Sequence, residues 1–266
     1  DLSTMNTSLV IDAHVHLYSN FNLETAFTGA ISSLQRLGGN KPSLYALLLT
    51  ERSDCSQFEE LAQKQNIGPF KIINETGLLR LQSQDRPDLL LFPGRQIVSS
   101  EALEVCSLTS TFSAPDRKFT CVELIQQIQA AGGVAALNWA PGKWLFKRSR
   151  VVRHVIDTID PRTALIGDTS MRPVFWPLPN LMAYARRIGW RFVAGSDPLP
   201  FSGEEHLLAT YACTLTSDWD ESKPLASIRT GLLNPAVAIA SVGKRSGAFQ
   251  FLGRQVRIMR EKSSRS

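Results

Sequence analysis

The stretch Leu9-Val10-Ile11-Asp12-Ala13-His14-Val15-His16 joins an apolar run to a pair of histidines near the start of the chain. Such a run predicts a buried β-strand over Leu9–Ala13. Side chains two residues apart on a strand share a face, so we expect His14 and His16 to enter one pocket, with Asp12 below them on the same side. Two neutral imidazoles at this spacing can bind one cation, although histidine pairs are also common in cores and on surfaces.

Further short apolar runs alternate with segments of helical period, which predicts βα units and a mostly parallel sheet. The other predicted strands are Leu44–Thr50, Phe70–Ile73, Leu89–Phe92, Val134–Asn138, Ala164–Gly167 and Phe192–Ala194. The predicted helices are Glu24–Leu37, Gln57–Gln65, Cys121–Ala131, Ser149–Ile159 and Leu181–Ile188. Gly77–Gln82 and Ala248–Met259 alternate apolar and polar residues, so we expect antiparallel strands or hairpins there.

Strands in this order fit either an open doubly wound sheet or a closed barrel. Polar residues follow the strand ends, which is where barrel enzymes place their active sites. We therefore predict an α/β fold, a distorted TIM-like (β/α)7 barrel that forms a single domain over residues 5–266. The residues expected to converge at its C-terminal mouth are Asp12, His14, His16, Gln96, Asn138, Asp168 and Asp197.

Composition limits the class of protein. With 43% hydrophobic residues in 266, the chain can bury one substantial core. No apolar run is long enough to cross a bilayer, and the four scattered cysteines predict neither a zinc knuckle nor a disulfide framework, so we expect a soluble cytoplasmic protein. Met5 is predicted as the natural start, with residues 1–4 a remnant.

The net charge of +5 comes from the C-terminal extension 244–266, whose seven basic residues against Glu261 give +6, while the rest of the chain carries −1. We expect this to be solvated terminal charge, while contact with nucleic acid or another anionic surface stays open.

A second apolar strand ends in Gly195-Ser196-Asp197-Pro198. The carboxylate of Asp197 can complete a site of two histidines and one carboxylate, or it can serve as a turn residue before the proline. Asp168 can act as a base or cap the next segment. Basic residues that follow strand ends, Arg95, Lys143 and Arg172, can hold an anion or be solvated.

Taken in order, the motifs resemble those of the polymerase-and-histidinol-phosphatase (PHP) family of metal-dependent phosphoesterases. The family's H-x-H motif is intact, and its T-D-H, P-G-x-E, H-P and G-S-D-x-H motifs correspond to altered segments. These segments are His14-Val15-His16, Thr50-Glu51-Arg52, Pro93-Gly94-Arg95-Gln96, Asn138-Trp139 and Gly195-Ser196-Asp197-Pro198-Leu199.

The resemblance implies two or three metal ions in a typical member, but Arg52, Asn138 and Leu199 stand where ligand histidines are expected. It therefore implies that only the first site survives, holding one divalent ion, zinc or manganese. The metal ligands that the resemblance implies are His14, His16, Gln96 and Asp197. Together with the polar residues at strand ends, we predict Asp168 and Glu51 as catalytic residues and Arg52, Arg95, Asn138 and Lys143 as substrate-binding residues.

Two functions follow from these residues. The first is a metal-dependent hydrolase, specifically a phosphoesterase for a small anionic substrate. The second is a catalytically inactive PHP-like barrel that serves in binding or assembly, including association with RNA, as a barrel subunit of ribonuclease P does. Under the second reading the Arg52 guanidinium occupies the place of a missing cation and the pocket is metal-free.

Overall fold

The computed structural model describes residues 5–39, 41 and 43–264. Its strands are β1 (Met5–Val15), β2 (Ser43–Leu49), β3 (Asn66–Ile67), β4 (Phe70–Glu75), β5 (Leu78–Gln82), β6 (Leu89–Phe92), β7 (Gly94–Val98), β8 (Glu104–Leu108), β9 (Val134–Asn138), β10 (Ala164–Thr169), β11 (Arg191–Gly195), β12 (Tyr211–Trp219) and β13 (Ala240–Gly243). Its α-helices are α1 (Leu23–Gly38), α2 (Gln57–Ala62), α3 (Cys121–Ala130), α4 (Lys147–Thr158), α5 (Asn180–Arg187), α6 (Pro224–Leu233) and α7 (Ala248–Ser264), with a 3-10 turn at Glu204–Leu207.

All seven predicted strands and all five predicted helices are present, with ends that differ by a few residues. The sharpest boundary is the start of α3, because Thr120 and Glu123 form a reciprocal capping box: each side chain accepts a hydrogen bond from the other's backbone N–H. The antiparallel prediction for Gly77–Gln82 is confirmed by β5, which pairs with β4 and β6. The prediction for Ala248–Met259 is wrong, because this segment is helical.

Hydrogen bonding joins the strands into two sheets rather than the predicted closed barrel. The larger sheet has the order β13-β12-β1-β2-β6-β5-β4-β3, and the smaller has the order β11-β10-β9-β8-β7. Only β1–β2, β2–β6, β9–β10 and β10–β11 are parallel pairs in the described part of the chain. The fold is therefore mixed α/β, and the (β/α)7 barrel is not confirmed.

The inner faces of the two sheets pack on one another and share a core. Leu9 and Ile11 of β1 contribute to it from the larger sheet, and Leu165 of β10 and Val193 of β11 contribute from the smaller one. Helices α1 and α2 cover the outer face of the larger sheet, and α3, α4 and α5 cover the smaller. This packing leaves the C-terminal ends of β1 and β11 side by side.

The sheets are also connected by backbone hydrogen bonds at two points. On one side, Glu51 donates its N–H to Gly94 O at 3.1 Å and accepts from Gln96 N at 2.9 Å. On the other, Asp197 N donates to His14 O at 2.9 Å. Both connections involve segments of the predicted motifs. They therefore bring the predicted site residues of the two sheets near one another.

Two other expectations concern the whole chain. All four cysteines are free thiols, as the spacing predicted. In the described ranges no helix is both long and apolar enough to span a membrane. Residues 1–4 and Arg265, which the sequence analysis assigned to a remnant and to the basic extension, lie outside the described residues.

Candidate metal centre

A β-bulge near the end of β1 sets the direction of the two histidines. The register with β2 shifts between Asp12 and Val15. Ala13 packs in the core between the sheets, whereas Val15 packs in the cluster beneath α1, so the inward and outward sides exchange at the bulge. The prediction that Asp12 lies on the same side as His14 and His16 is therefore wrong, because the extra residue breaks the alternation.

The buried carboxylate of Asp12 fixes the bulge to the loop that follows β11. Its Oδ1 accepts from the N–H groups of His14 at 3.2 Å and Ser196 at 2.9 Å. Its Oδ2 accepts from Ala209 N at 2.8 Å and from the Ser196 hydroxyl. Burial raises the pKa of Asp12 to about 6, against these hydrogen bonds, which lower it, so the group is a carboxylate at neutral pH.

Asp197 is held from both sides by its backbone. Its φ of 51° lies in the left-handed region, which costs energy for a residue other than glycine. Its N–H donates to His14 O, and its carbonyl accepts from Arg254 Nη2 at 2.6 Å. These bonds stabilise the strained conformation that turns the carboxylate towards the histidines.

Glycine is required at position 195 because β11 approaches β1 very closely there. A Cβ added to Gly195 would lie 2.3 Å from His14 Cβ and 2.4 Å from His14 N. Any side chain would push the two strands apart and separate Asp197 from the histidines.

Three ligand atoms from these two segments form a small triangle. His14 Nε2 lies 3.1 Å from His16 Nε2, and Asp197 Oδ1 lies 3.5 Å from His14 Nε2 and 3.6 Å from His16 Nε2. Tetrahedral coordination with bonds of about 2.0–2.1 Å places ligand atoms about 3.3 Å apart, so the triangle fits one face of such a site. Among the described His, Cys, Asp and Glu side chains, His14, His16 and Asp197 form a group of three whose ligand atoms lie close enough together to hold a metal ion.

The electrostatics of the triangle favour protonation of His14 over protonation of His16. Burial opposes protonation of His14, but Asp197 outweighs it and raises the pKa of His14 to about 10. Burial, reinforced by the charge of His14, lowers the pKa of His16 to about 3. Burial favours the neutral form of Asp197, yet His14, His16 and Arg254 lower its pKa below the usual value. A cation that binds here must therefore displace the proton of His14.

This competition predicts that metal affinity rises with pH. Because the pKa of His14 is raised, the ring holds its proton throughout the neutral range, and we expect apparent affinity to increase up to about tenfold per pH unit between pH 6 and 8. About one proton should be released per ion. Calorimetric titration with Zn²⁺ in buffers of different ionisation enthalpy measures both quantities. An affinity that does not change with pH would contradict the protonation of His14.

The triangle opens on a cavity of about 440 Å³, whose wall includes His16, Asp197 and Gln96. Gln96 of β7 is paired across the hairpin with Cys106 of β8, so the two side chains share a face. Cys106 Sγ in turn lies 3.9 Å from His14 Nδ1. Gln96 is therefore positioned on the histidine side of the cavity, where its amide oxygen can be offered to a cation.

Two of the predicted substrate-binding residues, Arg52 and Lys143, line this cavity. Arg52 pairs with Asp54 at 3.1 Å, and its side chain is 40% exposed. Lys143 pairs with Glu104, which also lines the cavity. Both cations are thus available at the rim, each with one acidic neighbour.

The other two predicted substrate-binding residues lie elsewhere. Asn138 is buried and donates to Cys106 Sγ at 2.7 Å, so its amide is engaged by that thiol. Arg95 donates to the Cys55 carbonyl and pairs with Glu59 at 2.9 Å. Neither residue therefore lies at the shared mouth that the sequence predicted, because each side chain forms hydrogen bonds with a neighbouring part of the chain.

The two predicted catalytic carboxylates also have structural partners. Glu51 is buried and accepts from Phe58 N at 2.8 Å at the start of α2. Asp168 forms a bidentate pair with Arg172, with distances of 2.7 and 2.5 Å, and accepts from the Tyr211 hydroxyl at 2.9 Å. Asp168 and Arg172 face a separate depression. The structure therefore does not bring either carboxylate into the cavity beside the histidines.

Several residues of the cavity were not predicted. Tyr18 stacks on His16, with ring centroids 5.8 Å apart, and continues the alternation His14, His16, Tyr18, which was a usable signal. Gln255 and Ile258 of α7 form another part of the wall. Helix α7 therefore forms part of the wall of the site, and Arg254 is buried, whereas Lys244, Arg257 and Arg260 are exposed to solvent as predicted.

Comparisons with known proteins give a likeness of fold. The sequence matches no model of a protein family and no curated protein. PsfC from Pseudomonas syringae PB-5123 is 14% identical, with a TM-score of 0.55 over 96% of this chain and 99% of that one. The lesion-specific endonuclease PfuEndoQ from Pyrococcus furiosus is 10% identical, with a TM-score of 0.52 over 88% of this chain and 58% of that one. At these identities the comparisons show a shared fold.

A third similar structure is a two-domain protein from Bacteroides vulgatus that contains a predicted PHP-like metal-dependent phosphoesterase. It is 12% identical, with a TM-score of 0.47 over 88% of this chain and 65% of that one.

Proposed function

We propose that this protein is a metal-dependent hydrolase that cleaves phosphoesters with a single divalent ion. The observation that carries the proposal is the triangle of His14 Nε2, His16 Nε2 and Asp197 Oδ1, which faces an open cavity of about 440 Å³. The fold shared with a lesion-specific endonuclease agrees with this class of reaction. The motif resemblance to PHP phosphoesterases supports it independently.

Different residues of the chain would bind the metal ion and the substrate. His14, His16 and Asp197 would hold the ion, with Gln96 as a neutral fourth ligand, and the ion would supply Lewis acidity for hydrolysis. Arg52 and Lys143 at the rim attract the anionic group of the substrate and orient it towards the triangle. Arg254 holds the Asp197 carbonyl, so the carboxylate stays aligned.

Replacing Gln96 with Glu should tighten metal binding roughly tenfold, because a charged carboxylate is a stronger ligand than an amide oxygen. Calorimetric titration with Zn²⁺ and Mn²⁺ measures the change. Gln255→Glu is the matched control, since Gln255 of α7 lines the same cavity and its replacement by Glu adds the same charge. Equal gains in the two variants would show a general effect of charge and remove Gln96 from the ligand set.

The reaction class can be tested by hydrolysis of 4-nitrophenyl phosphate and its bis ester by protein supplied with Zn²⁺ or Mn²⁺. We expect activity that is lost on chelation, and a KM about tenfold higher in Arg52→Ala with unchanged metal stoichiometry. Arg162→Ala is the matched control, because Arg162 also pairs with an aspartate two residues away, Asp160, on the surface.

Metal binding without hydrolysis of either ester would contradict the phosphoesterase and favour the alternative, a non-catalytic protein that binds anions or RNA. Unchanged kinetics in Arg52→Ala would remove that arginine from the substrate site.

A further inference from the structure

A second cavity, of about 420 Å³, lies beside the metal cavity and has a different character. Aromatic and aliphatic side chains dominate its wall: Trp139, Trp144, Leu145, Phe146, Trp176 and Leu178. A concave, largely apolar pocket with few polar groups is the usual form of a small-molecule site. We call this second cavity the aromatic cavity.

The aromatic cavity and the metal cavity are divided by the loop that follows β9. Ala140 lines both cavities. Beyond it the loop alternates, with Pro141 and Lys143 on the metal side and Gly142 and Trp144 on the aromatic side. One molecule that crosses the loop at Ala140 can therefore occupy both cavities.

The deeper wall of the aromatic cavity is rigidly built. Trp144 is buried, and its indole N–H donates to the Asn138 carbonyl at 2.9 Å. Trp139 is also buried and packs edge to face with Trp176, with ring centroids 5.7 Å apart. The rings are thus held in place before any ligand arrives, which limits the entropy lost on binding.

The outer rim, in contrast, exposes apolar side chains to solvent. Phe146 is 87% exposed and Leu145 is 44% exposed. The backbone of Phe146 has a φ of 56°, a conformation that costs energy for any residue other than glycine. A strained backbone that holds a phenyl ring in water is unfavourable in the free protein, and a ligand that covers the ring offsets part of that cost.

We propose that the aromatic cavity binds an aromatic ring of the substrate while its phosphate ester lies in the metal cavity. This inference rests on the proposed function and narrows its substrate class to phosphate esters that carry an aromatic group. Ring–ring contacts with the tryptophans and with Phe146 provide the affinity. Arg52 and Lys143 hold the anionic end on the other side of the loop.

The experiment compares two esters and one inert probe. Hydrolysis of 1-naphthyl phosphate and of ethyl phosphate is measured with metal-loaded protein, and binding of 1-naphthylmethylphosphonate is followed by tryptophan fluorescence. The variant is Phe146→Ala, whose exposed side chain can be removed without unfolding the chain. Its control is Phe249→Ala, another exposed phenyl, 93% accessible on α7.

We expect the naphthyl ester to have a KM at least about tenfold below that of the ethyl ester. Phe146→Ala should weaken binding of the naphthyl ester and the phosphonate about five- to tenfold and leave the ethyl ester unchanged. Phe249→Ala should match the wild type. Equal KM values for the two esters, or a Phe146→Ala variant identical to wild type for the naphthyl compounds, would overturn the proposal.

The two proposals fail differently. Hydrolysis of both esters without preference retains the hydrolase and removes the aromatic subsite. Binding of the phosphonate that depends on Phe146, without hydrolysis of either ester, retains the aromatic cavity as a ligand site and removes the hydrolase.

Discussion

His16→Ala should lower the affinity for Zn²⁺ or Mn²⁺ by at least about 100-fold, because it removes one of three convergent ligands. A chelator-competition titration measures this loss. Its matched control is His154→Ala, since His154 is exposed on α4, far along the chain from the triangle. A variant that binds metal as tightly as the wild type would show that the ion is held elsewhere.

The same substitution should affect the stability of the metal-free protein and of the metal-bound protein differently. Among the described residues, His16 Nδ1 is buried without a hydrogen-bond partner, so the ring is a liability in the metal-free protein. In the metal-free state we expect the free energy of unfolding of the variant to lie within about 1 kcal/mol of the wild-type value, or above it. At saturating Zn²⁺ the wild type should be stabilised and the variant should not. Equal stabilisation of both by metal would contradict the ligand set.

Arg254→Met should destabilise the fold by about 3–5 kcal/mol, because it breaks a buried ion pair and leaves one charge uncompensated. Arg254 Nη2 lies 2.7 Å from Glu204 Oε2, and the two side chains are 3% and 5% exposed. Arg254 Nη1 also donates to Ser170 Oγ at 3.1 Å. Urea unfolding of the metal-free protein measures the cost. The Asp197 carbonyl loses its donor as well, so metal affinity should fall in parallel.

Two further variants separate the ion pair from a general effect of charge on α7. Arg257→Met, at an exposed arginine that lies over the Phe201 ring, should cost less than about 1 kcal/mol. Adding Glu204→Gln to Arg254→Met should recover part of the loss, because the unpaired carboxylate is removed. If Arg254→Met and Arg257→Met cost the same, the pair does not anchor the helix.

The sequence was informative wherever an apolar run or a cap determined local structure. The strand that ends in His14 and His16 and the capped helix α3 are both of this kind. The three residues of the candidate metal site are also predicted together, since two strand ends that lie side by side carry them. The strand patterns predict that His14, His16 and Asp197 lie close together, whereas their exact directions depend on the bulge in β1 and on the left-handed φ of Asp197.

What failed depends on interactions between distant segments. The bulge between Asp12 and Val15 is invisible to a strict period of two, and its stabilising partners, Ser196 and Ala209, are almost 200 positions away. The closed barrel is not confirmed, because β7–β8 and β12 form antiparallel pairs where the alternating pattern predicts βα units. Helix α7 contains apolar residues at both strand and helix spacing, so its period was ambiguous.

Side-chain partners explain the remaining differences. Glu51 follows β2, Arg95 lies at the start of β7 and Asp168 lies near the end of β10. Each is engaged by a group the sequence could not place: Phe58 N–H, Glu59 and Arg172, respectively. Arg254 shows the converse, because a residue in a basic tail became a buried anchor of Asp197. Polar residues at strand ends therefore indicate a site, but their partners decide which of them face it.

The central claim is that His14, His16 and Asp197 hold one divalent ion. A crystal grown with Mn²⁺ or Zn²⁺ and measured at the metal's absorption edge tests it most directly. The account predicts one anomalous peak per chain within about 2.0–2.2 Å of His14 Nε2, His16 Nε2 and Asp197 Oδ1. No peak at this triangle at saturating metal, or additional peaks beside Arg52 and Asn138, would contradict it.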